Sequence, residues 1–371
     1  MTIKICEINI YEVELPLIKP YRISGGRLFV DKMDSIIVAI TTSDGIVGWG
    51  ESCPFGPSYL PAFAGGIKAG MAQLAPILIG ANPLELENIN HLMDLTLKGH
   101  LYVKSAIDVA CWDILGKYAN LPLHTLLGGR FSEHADLIGA FANGTPEEMV
   151  ADLKQRRDQG YHIFSPKIGG EVSLDISRIQ AIMAELQPQE KITIDANRAW
   201  LPDHAIQIMN SINDKTVYFE QPCETLEECL AVRRLTQHPI ILDECIHTFQ
   251  DLLLAQREGV AQAINIKIGR VGGLTKARQM RDFCLATGLR MNIEETGGSV
   301  IGGTGAIHLA VATPLRYRLA TSDSTRLHTV IPAKGGYTYK KGTGIPPETP
   351  GLGIEPIMEI LGEPIAVYTK S

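Results

Sequence analysis

No apolar run in this chain approaches the roughly 18 residues that a membrane-spanning helix needs. There is no basic stripe: 34 Lys and Arg against 41 Asp and Glu give a net charge of −7, thinly spread. That argues against nucleic acid as a partner, and no segment reads as a membrane-surface helix. The N-terminus, Met1-Thr-Ile-Lys-Ile-Cys-Glu-Ile-Asn-Ile-Tyr11, alternates like a strand and lacks the apolar block of a signal peptide. Paired cysteines are missing as well. Cys6, Cys53, Cys111, Cys223, Cys229, Cys245 and Cys284 are odd in number and show no metal-type spacing. They read as reduced thiols in a cytoplasm, mostly small apolar core residues. Low-complexity segments and short tandem repeats are also lacking.

What is present is an ordinary globular composition, 45% apolar and 20% charged over 371 residues. That length accommodates one barrel of about 250 residues and a smaller domain. Residues 3–15 and 33–42 alternate as strands, and Ser43-Asp44-Gly45 reads as a hairpin turn. Ile23–Gly26 and Cys53–Tyr59 are Gly- and Pro-rich loops, read either as plain turns or as lids that set specificity. A helical pattern runs from Gly65 to Asn120. Eight strand candidates follow, at 136–142, 161–168, 190–195, 216–221, 239–243, 262–268, 289–293 and 316–322, the first seven each followed by a helical segment. The expected fold is α/β, a (β/α)7β modified TIM barrel with an N-terminal α+β capping domain. The expected limits are 1–130 for the cap, 131–330 for the barrel and 331–371 for a tail packing back on the cap.

Four consecutive strand candidates end in charge, at Asp195, Glu220, Asp243 and Lys267. One such residue is ordinarily a helix cap or a turn residue. Three carboxylates at the C-terminal ends of successive parallel strands are a site for a hard divalent cation, Mg²⁺ rather than zinc. Glu244 should point away and support, while Asn197 shares the face of Asp195. Lys167 ends the second strand and Lys267 the sixth, across the lumen from each other. Two lysines would then approach a substrate from opposite faces. Burial and a neighbouring cation would lower their pKa values enough to make them bases near neutral pH.

The series Lys167, Asp195-x-Asn197, Glu220, Asp243-Glu244 and Lys267 resembles the enolase superfamily, in its muconate-lactonizing branch. Trp49-Gly50-Glu51, Ala106-Ile107-Asp108 and Trp112-Asp113 resemble it too, so the likeness spans the whole chain. It implies Mg²⁺-dependent abstraction of a proton α to a carboxylate, with one Mg²⁺ per subunit on Asp195, Glu220 and Asp243, Lys167 and Lys267 as catalytic acid/bases, and a homo-oligomer. Trp49 to Tyr59, Leu78 to Leu84 and Gly99-His100 are similar to members acting on proline betaines and hydroxyprolines. Ser165 stands where the family has the first lysine of a Lys-x-Lys pair. Glu294-Glu295-Thr296-Gly297 replaces an Asp-Asp-Ala-Trp, removing a cation–π partner for a quaternary ammonium and favouring an N–H-bearing one. The implied substrate is therefore a cyclic imino acid. Dehydration of cis-3-hydroxy-L-proline is the leading expectation. The alternative is 2-epimerisation of 4-hydroxyproline betaine, proline betaine or a dipeptide, although Thr321-Ser322-Asp323 carries only half of a dipeptide epimerase's Asp-x-Asp. A binding barrel without catalysis would not need the intact ligand set and both lysines. Ser165, Asn197, Tyr59, Phe55, Glu294, Glu295, Thr296 and Asp323 are the expected substrate-binding residues.

Overall fold

A computed structural model of the chain describes residues 3–370. The front domain begins with three antiparallel strands, β1 (Ile5–Ile23), β2 (Leu28–Thr42) and β3 (Val47–Ser52). On β2, Ile36, Val38 and Ile40 pack on the cap helices while Ile37 and Ala39 face the barrel. The expected alternation fails at residues 36–40, which are apolar and buried at every position because this sheet is covered on both faces.

The first hairpin is longer than its alternation suggests. β1 continues to Ile23 and β2 starts at Leu28, with a register shift between Pro16 and Tyr21. The expected loop Ile23–Gly26 is only the tip, turned by Ser24 at φ 52° and Gly25 at φ 66°. A Cβ on Gly25 would lie 3.0 Å from the Gly169 carbonyl carbon, so the tip rests on the exit of the barrel's second strand. Ser24 Oγ also donates to the Asn197 carbonyl at 2.9 Å. The hairpin is thereby fastened over the barrel mouth.

After the cap helices and a two-residue strand β4 (Ala135–Asp136), eight parallel strands follow. They are β5 (Ile138–Phe141), β6 (Ile163–Pro166), β7 (Lys191–Asp195), β8 (Tyr218–Glu220), β9 (Ile240–Leu242), β10 (Ala263–Lys267), β11 (Arg290–Glu294) and β12 (Arg318–Thr321). They pair in sequence order, and a bridge between Leu137 and Thr321 joins the last to the first. Each crossover of β5 to β11 contains a helix, which is the (β/α)7β arrangement. The remaining strands are β13 (Ala333–Gly335), β14 (Thr338–Lys340), β15 (Thr343–Ile345), β16 (Ile354–Pro356) and β17 (Ala366–Thr369). β17 pairs antiparallel with β1, so the front sheet takes its outer strand from the far end of the chain.

Cap and barrel are joined by buried carboxylates. Glu51 accepts from Ser299 N–H and Oγ, from Gly302 N–H at 2.8 Å and from Ser35 Oγ at 2.6 Å. It thus holds the first turn of the helix Val300–Val311. Asp108 accepts from Thr275 N–H and Oγ1 and from Asn90 Nδ2. Asp113 accepts from Trp49 N–H and Leu352 N–H. These motif residues fix the cap over the strand ends.

Candidate active site

The strand ends converge as register predicts. Asp195 on β7 pairs directly with Glu220 on β8, Lys167 bridges to Asp195, and Lys267 on β10 pairs with Glu294 on β11. Two of these strand exits turn sharply at residues with positive φ, Asn197 (43°) and Arg198 (65°) after β7 and Gln221 (36°) after β8. Backbone in this region is uncommon for residues other than glycine and clusters at functional sites. Gln221 is fully buried, and its Oε1 accepts from Asp243 N–H at 2.8 Å, which ties the exits of β8 and β9 together.

Lys167 Nζ is ion-paired with Asp195 Oδ2 and donates to Ser165 Oγ at 3.4 Å. Lys267 Nζ donates to Asp243 Oδ2 at 2.6 Å and to Tyr59 Oη at 3.2 Å, and lies 3.9 Å from Glu294 Oε2. Behind Asp243, the buried Arg270 donates to Oδ1 at 2.6 Å. Asn265 Nδ2 donates to Glu220 Oε1 at 2.8 Å. Asn197 Nδ2 donates to Glu244 Oε1 at 3.0 Å, which gives Glu244 a supporting place.

The electrostatics follow from burial. Burial works to lower both lysines, but Asp195 raises Lys167 well above the ordinary range, and Asp243 with Glu294 does the same for Lys267. Direct pairing with the carboxylates outweighs the lowering by burial in both cases. Burial also works to raise Asp243, yet Arg270 and Lys267 hold it well below the usual carboxylate range. Burial and Asp195 push Glu220 up. Burial and Asp243 push Glu244 up to about 7, and burial, partly offset by Lys267, brings Glu294 to about 7. Five buried carboxylates therefore face four cations, the buried Lys267 and Arg270 and the half-buried Lys167 and Arg198, the last 3.9 Å from Glu244. Asn197 Oδ1 and Glu244 Oε2 are buried acceptors without a partner. Among the described residues no three Asp, Glu, His or Cys groups already stand in a metal-binding array, since lysine ammonium groups lie against Asp195 and Asp243. Surplus negative charge, orphaned acceptors and an all-oxygen donor set suit a hard divalent cation.

Both lysines line one cavity of about 140 Å³ between cap and barrel. Ser165, Asn197, Glu220, Glu294, Glu295, Thr296 and Asp323 also line it, with Phe55 and Tyr59 on the cap side. Their availability differs. Glu294 faces the cavity with no hydrogen-bond donor on it among the described residues, only the Lys267 ammonium nearby. Glu295 accepts from Gly269 N–H at 3.0 Å, and burial raises it to about 8. Thr296 Oγ1 is bonded to Tyr102 Oη at 2.7 Å. Asp323 is already saturated by Tyr161 Oη at 2.6 Å, Tyr337 Oη at 2.8 Å and Thr325.

Sequence reasoning missed Arg270, Gln221, Asn265 and the hairpin residues Leu17, Tyr21 and Ile23 that also line the cavity. The hairpin residues had a signal, since Leu17, Lys19, Tyr21 and Ile23 recur at the period of a strand face. Gln221 had a weaker one, directly beside Glu220.

Residues 5–128 match the mandelate racemase/muconate lactonizing enzyme N-terminal domain, and residues 148–360 match the enolase C-terminal domain-like family. The chain belongs to the mandelate racemase/muconate lactonizing enzyme family of the enolase superfamily. Within it, the chain is 41% identical to a cis-3-hydroxy-L-proline dehydratase from Roseibium aggregatum, over 99% of this chain and all of that one. A member of the enolase superfamily from Roseovarius nubinhibens, in complex with magnesium, superposes with a TM-score of 0.95 at 44% identity, covering 99% of this chain and 100% of that one. An N-succinyl-L-Arg/Lys racemase from Bacillus cereus is 28% identical over 95% of each chain. Among the described residues no helix is long and apolar enough to cross a membrane.

Proposed function

We propose that this enzyme dehydrates cis-3-hydroxy-L-proline to Δ1-pyrroline-2-carboxylate, with 2-epimerisation as a side outcome, and works in the cytoplasm as a homo-oligomer. The observation that carries the reaction is the placement of Lys167 and Lys267 on β6 and β10, four strands apart in an eight-stranded barrel and lining one small cavity. Unpaired thiols at all seven cysteines support a reducing compartment.

In the cis isomer the carboxylate and the 3-hydroxyl share a ring face, so the C2 proton lies on the other. The lysine that is present as the free amine takes that proton, the C2–H electron pair forms the C2–C3 double bond, and the C3–O bond breaks. The opposing lysine protonates the departing oxygen, which leaves as water. The enamine then tautomerises to the C=N product. If the second lysine returns a proton to C2 instead, the result is epimerisation. Asp195, Glu220 and Asp243 would hold Mg²⁺, which when bound supplies a Lewis acid for the charge that develops on the substrate carboxylate. Ser165 orients Lys167, and Glu294, the carboxylate left without a donor, receives the ring ammonium. Phe55 and Tyr59 cover the ring and exclude water. A cavity of about 140 Å³ lies below the roughly 300–1,000 Å³ of sites for drug-sized ligands, which favours a single ring over a dipeptide.

The deciding experiment incubates purified protein and Mg²⁺ with cis-3-hydroxy-L-proline and, separately, with 4-hydroxyproline betaine. Pyrroline formation from the first is expected. Rapid epimerisation of the second with no consumption of the first would overturn the dehydratase reading.

A further inference from the structure

We infer that Asn265 and Asn292 are positioning residues for the metal-binding end of the site, forming a one-way hydrogen-bond ladder that aims the Glu220 carboxylate. The inference rests on the reading of Glu220 as a metal ligand.

Glu220 stands on a thin floor. It lines the substrate cavity above, and with Ser165 it also lines a second cavity of about 460 Å³ toward the N-terminal ends of the strands. A side chain between two open spaces is not fixed by close packing, which holds most buried side chains to one rotamer. The hydrogen bond from Asn265 Nδ2 at 2.8 Å is what remains to orient its carboxylate.

The direction of that bond is set from elsewhere. Ala320 N–H donates to Asn292 Oδ1 at 3.0 Å, and a backbone N–H cannot act as an acceptor. Asn292 must therefore turn its Nδ2 outward, where it donates to Asn265 Oδ1 at 2.9 Å. This in turn leaves Asn265 Nδ2 facing Glu220. A flip of either amide would set two donors or two acceptors against each other, which is costly in a buried place. Asn265 is wholly buried, and Asn292 nearly so. The ladder crosses β12, β11, β10 and β8 and always delivers a donor to Glu220, so the carboxylate meets it with an oxygen that carries no proton.

Mg²⁺ affinity of the full-length apo-protein, measured calorimetrically without substrate, tests the ladder. Asn265→Leu keeps the volume and removes the donor. It should weaken Mg²⁺ binding about ten- to a hundredfold, the usual cost of losing a group that orients a ligand. Asn292→Leu, one step further from the site, should weaken it by less. The double variant should be no worse than Asn265→Leu alone, because Asn292 acts only through Asn265. Unchanged affinity in both single variants, or losses that multiply in the double variant, would overturn the inference. If the unmutated protein binds no Mg²⁺, the metal reading fails separately. The ladder is then judged from crystal structures of Asn265→Leu, where a changed Glu220 rotamer supports it and an unmoved one refutes it.

Discussion

Two groups of buried carboxylates serve this fold in opposite ways. Glu51, Asp108 and Asp113, between cap and barrel, are surrounded by N–H and hydroxyl donors. Asp195, Glu220, Asp243, Glu244 and Glu294, at the strand ends, are crowded against one another, and Glu294 has no donor on it among the described residues. Both groups are equally inaccessible to solvent. Burial and acidity thus do not identify the reactive carboxylates. Donor supply sets Glu294 apart from the first group, whereas Asp195 and Asp243 differ in being held mainly by cations, Lys167 on the one and Lys267 with Arg270 on the other.

The largest effects should come from breaking the second group. Asp195→Asn and Glu220→Gln should each lower kcat at least about a hundredfold with circular dichroism and Tm essentially kept, since they remove donor atoms from a region already overcharged. Lys167→Ala and Lys267→Ala should each cost about 10²–10⁴ in turnover. Exchange of the C2 proton with solvent deuterium, followed by NMR, should fail for one substrate stereoisomer in each lysine variant. Normal rates in any of these four enzymes would remove that residue from the proposed chemistry.

Breaking the first group should do the reverse. Glu51→Ala leaves Ser299 N–H and Gly302 N–H buried without an acceptor, at an expected cost of about 3 kcal/mol in stability. Folded enzyme at 25 °C should keep measurable turnover, because Glu51 is bonded to the helix start and not to the cavity. A denaturant midpoint unchanged from the parent would show that this clamp contributes little.

A smaller effect is expected where the cap, the barrel and the tail meet. Nδ1 of the fully buried His308 accepts from His124 N–H at 3.2 Å, its Nε2 lies 3.4 Å from the Leu352 carbonyl, and its ring stacks on His124. Burial, helped by His124, lowers its pKa from 6.5 to about 3. The unfolded chain therefore takes up a proton below pH 6.5 that the folded state refuses. Stability is fully present above that pH and falls as the pH drops toward about 3. Between pH 6.5 and 5 the loss is about 2 kcal/mol from this residue. Urea midpoints taken against pH should show that slope, and His308→Gln should flatten it.

The strand ends were legible in the sequence because a parallel barrel repeats its geometry, so Asp195, Glu220, Asp243 and Lys267 announced themselves by spacing. The eight strands and the cap followed from the same periodicity. Availability was not legible. Asp323 and Glu294 look alike as acidic strand ends, and only three-dimensional packing brings Tyr161 and Tyr337 onto the first while leaving the second bare. The reach of the first hairpin was hidden too, since Pro16 and Pro20 interrupt the alternation where β1 shifts register. Arg270 sits in a short turn after β10, where local pattern gives no reason to expect a buried guanidinium.

Glu294 offers the smallest change in stability and the sharpest test of the contrast. Its carboxylate is buried, repelled by Asp243 and Asp195, and compensated by Lys267 at 3.9 Å and, more weakly, by Lys167. Glu294→Gln keeps the shape, removes the charge and relieves that repulsion. The metal-free variant should therefore be more stable than the parent by about 1 kcal/mol, in the way that functional sites commonly trade stability for activity. The same substitution should weaken a substrate that carries a ring ammonium, so KM should rise more than kcat falls. Glu51→Gln, the matching change in the saturated group, should instead destabilise, because it exchanges an acceptor oxygen for a donor that faces other donors. Opposite signs of the two Tm shifts are the expected result. Equal signs would mean that donor supply is not what separates Glu294 from Glu51.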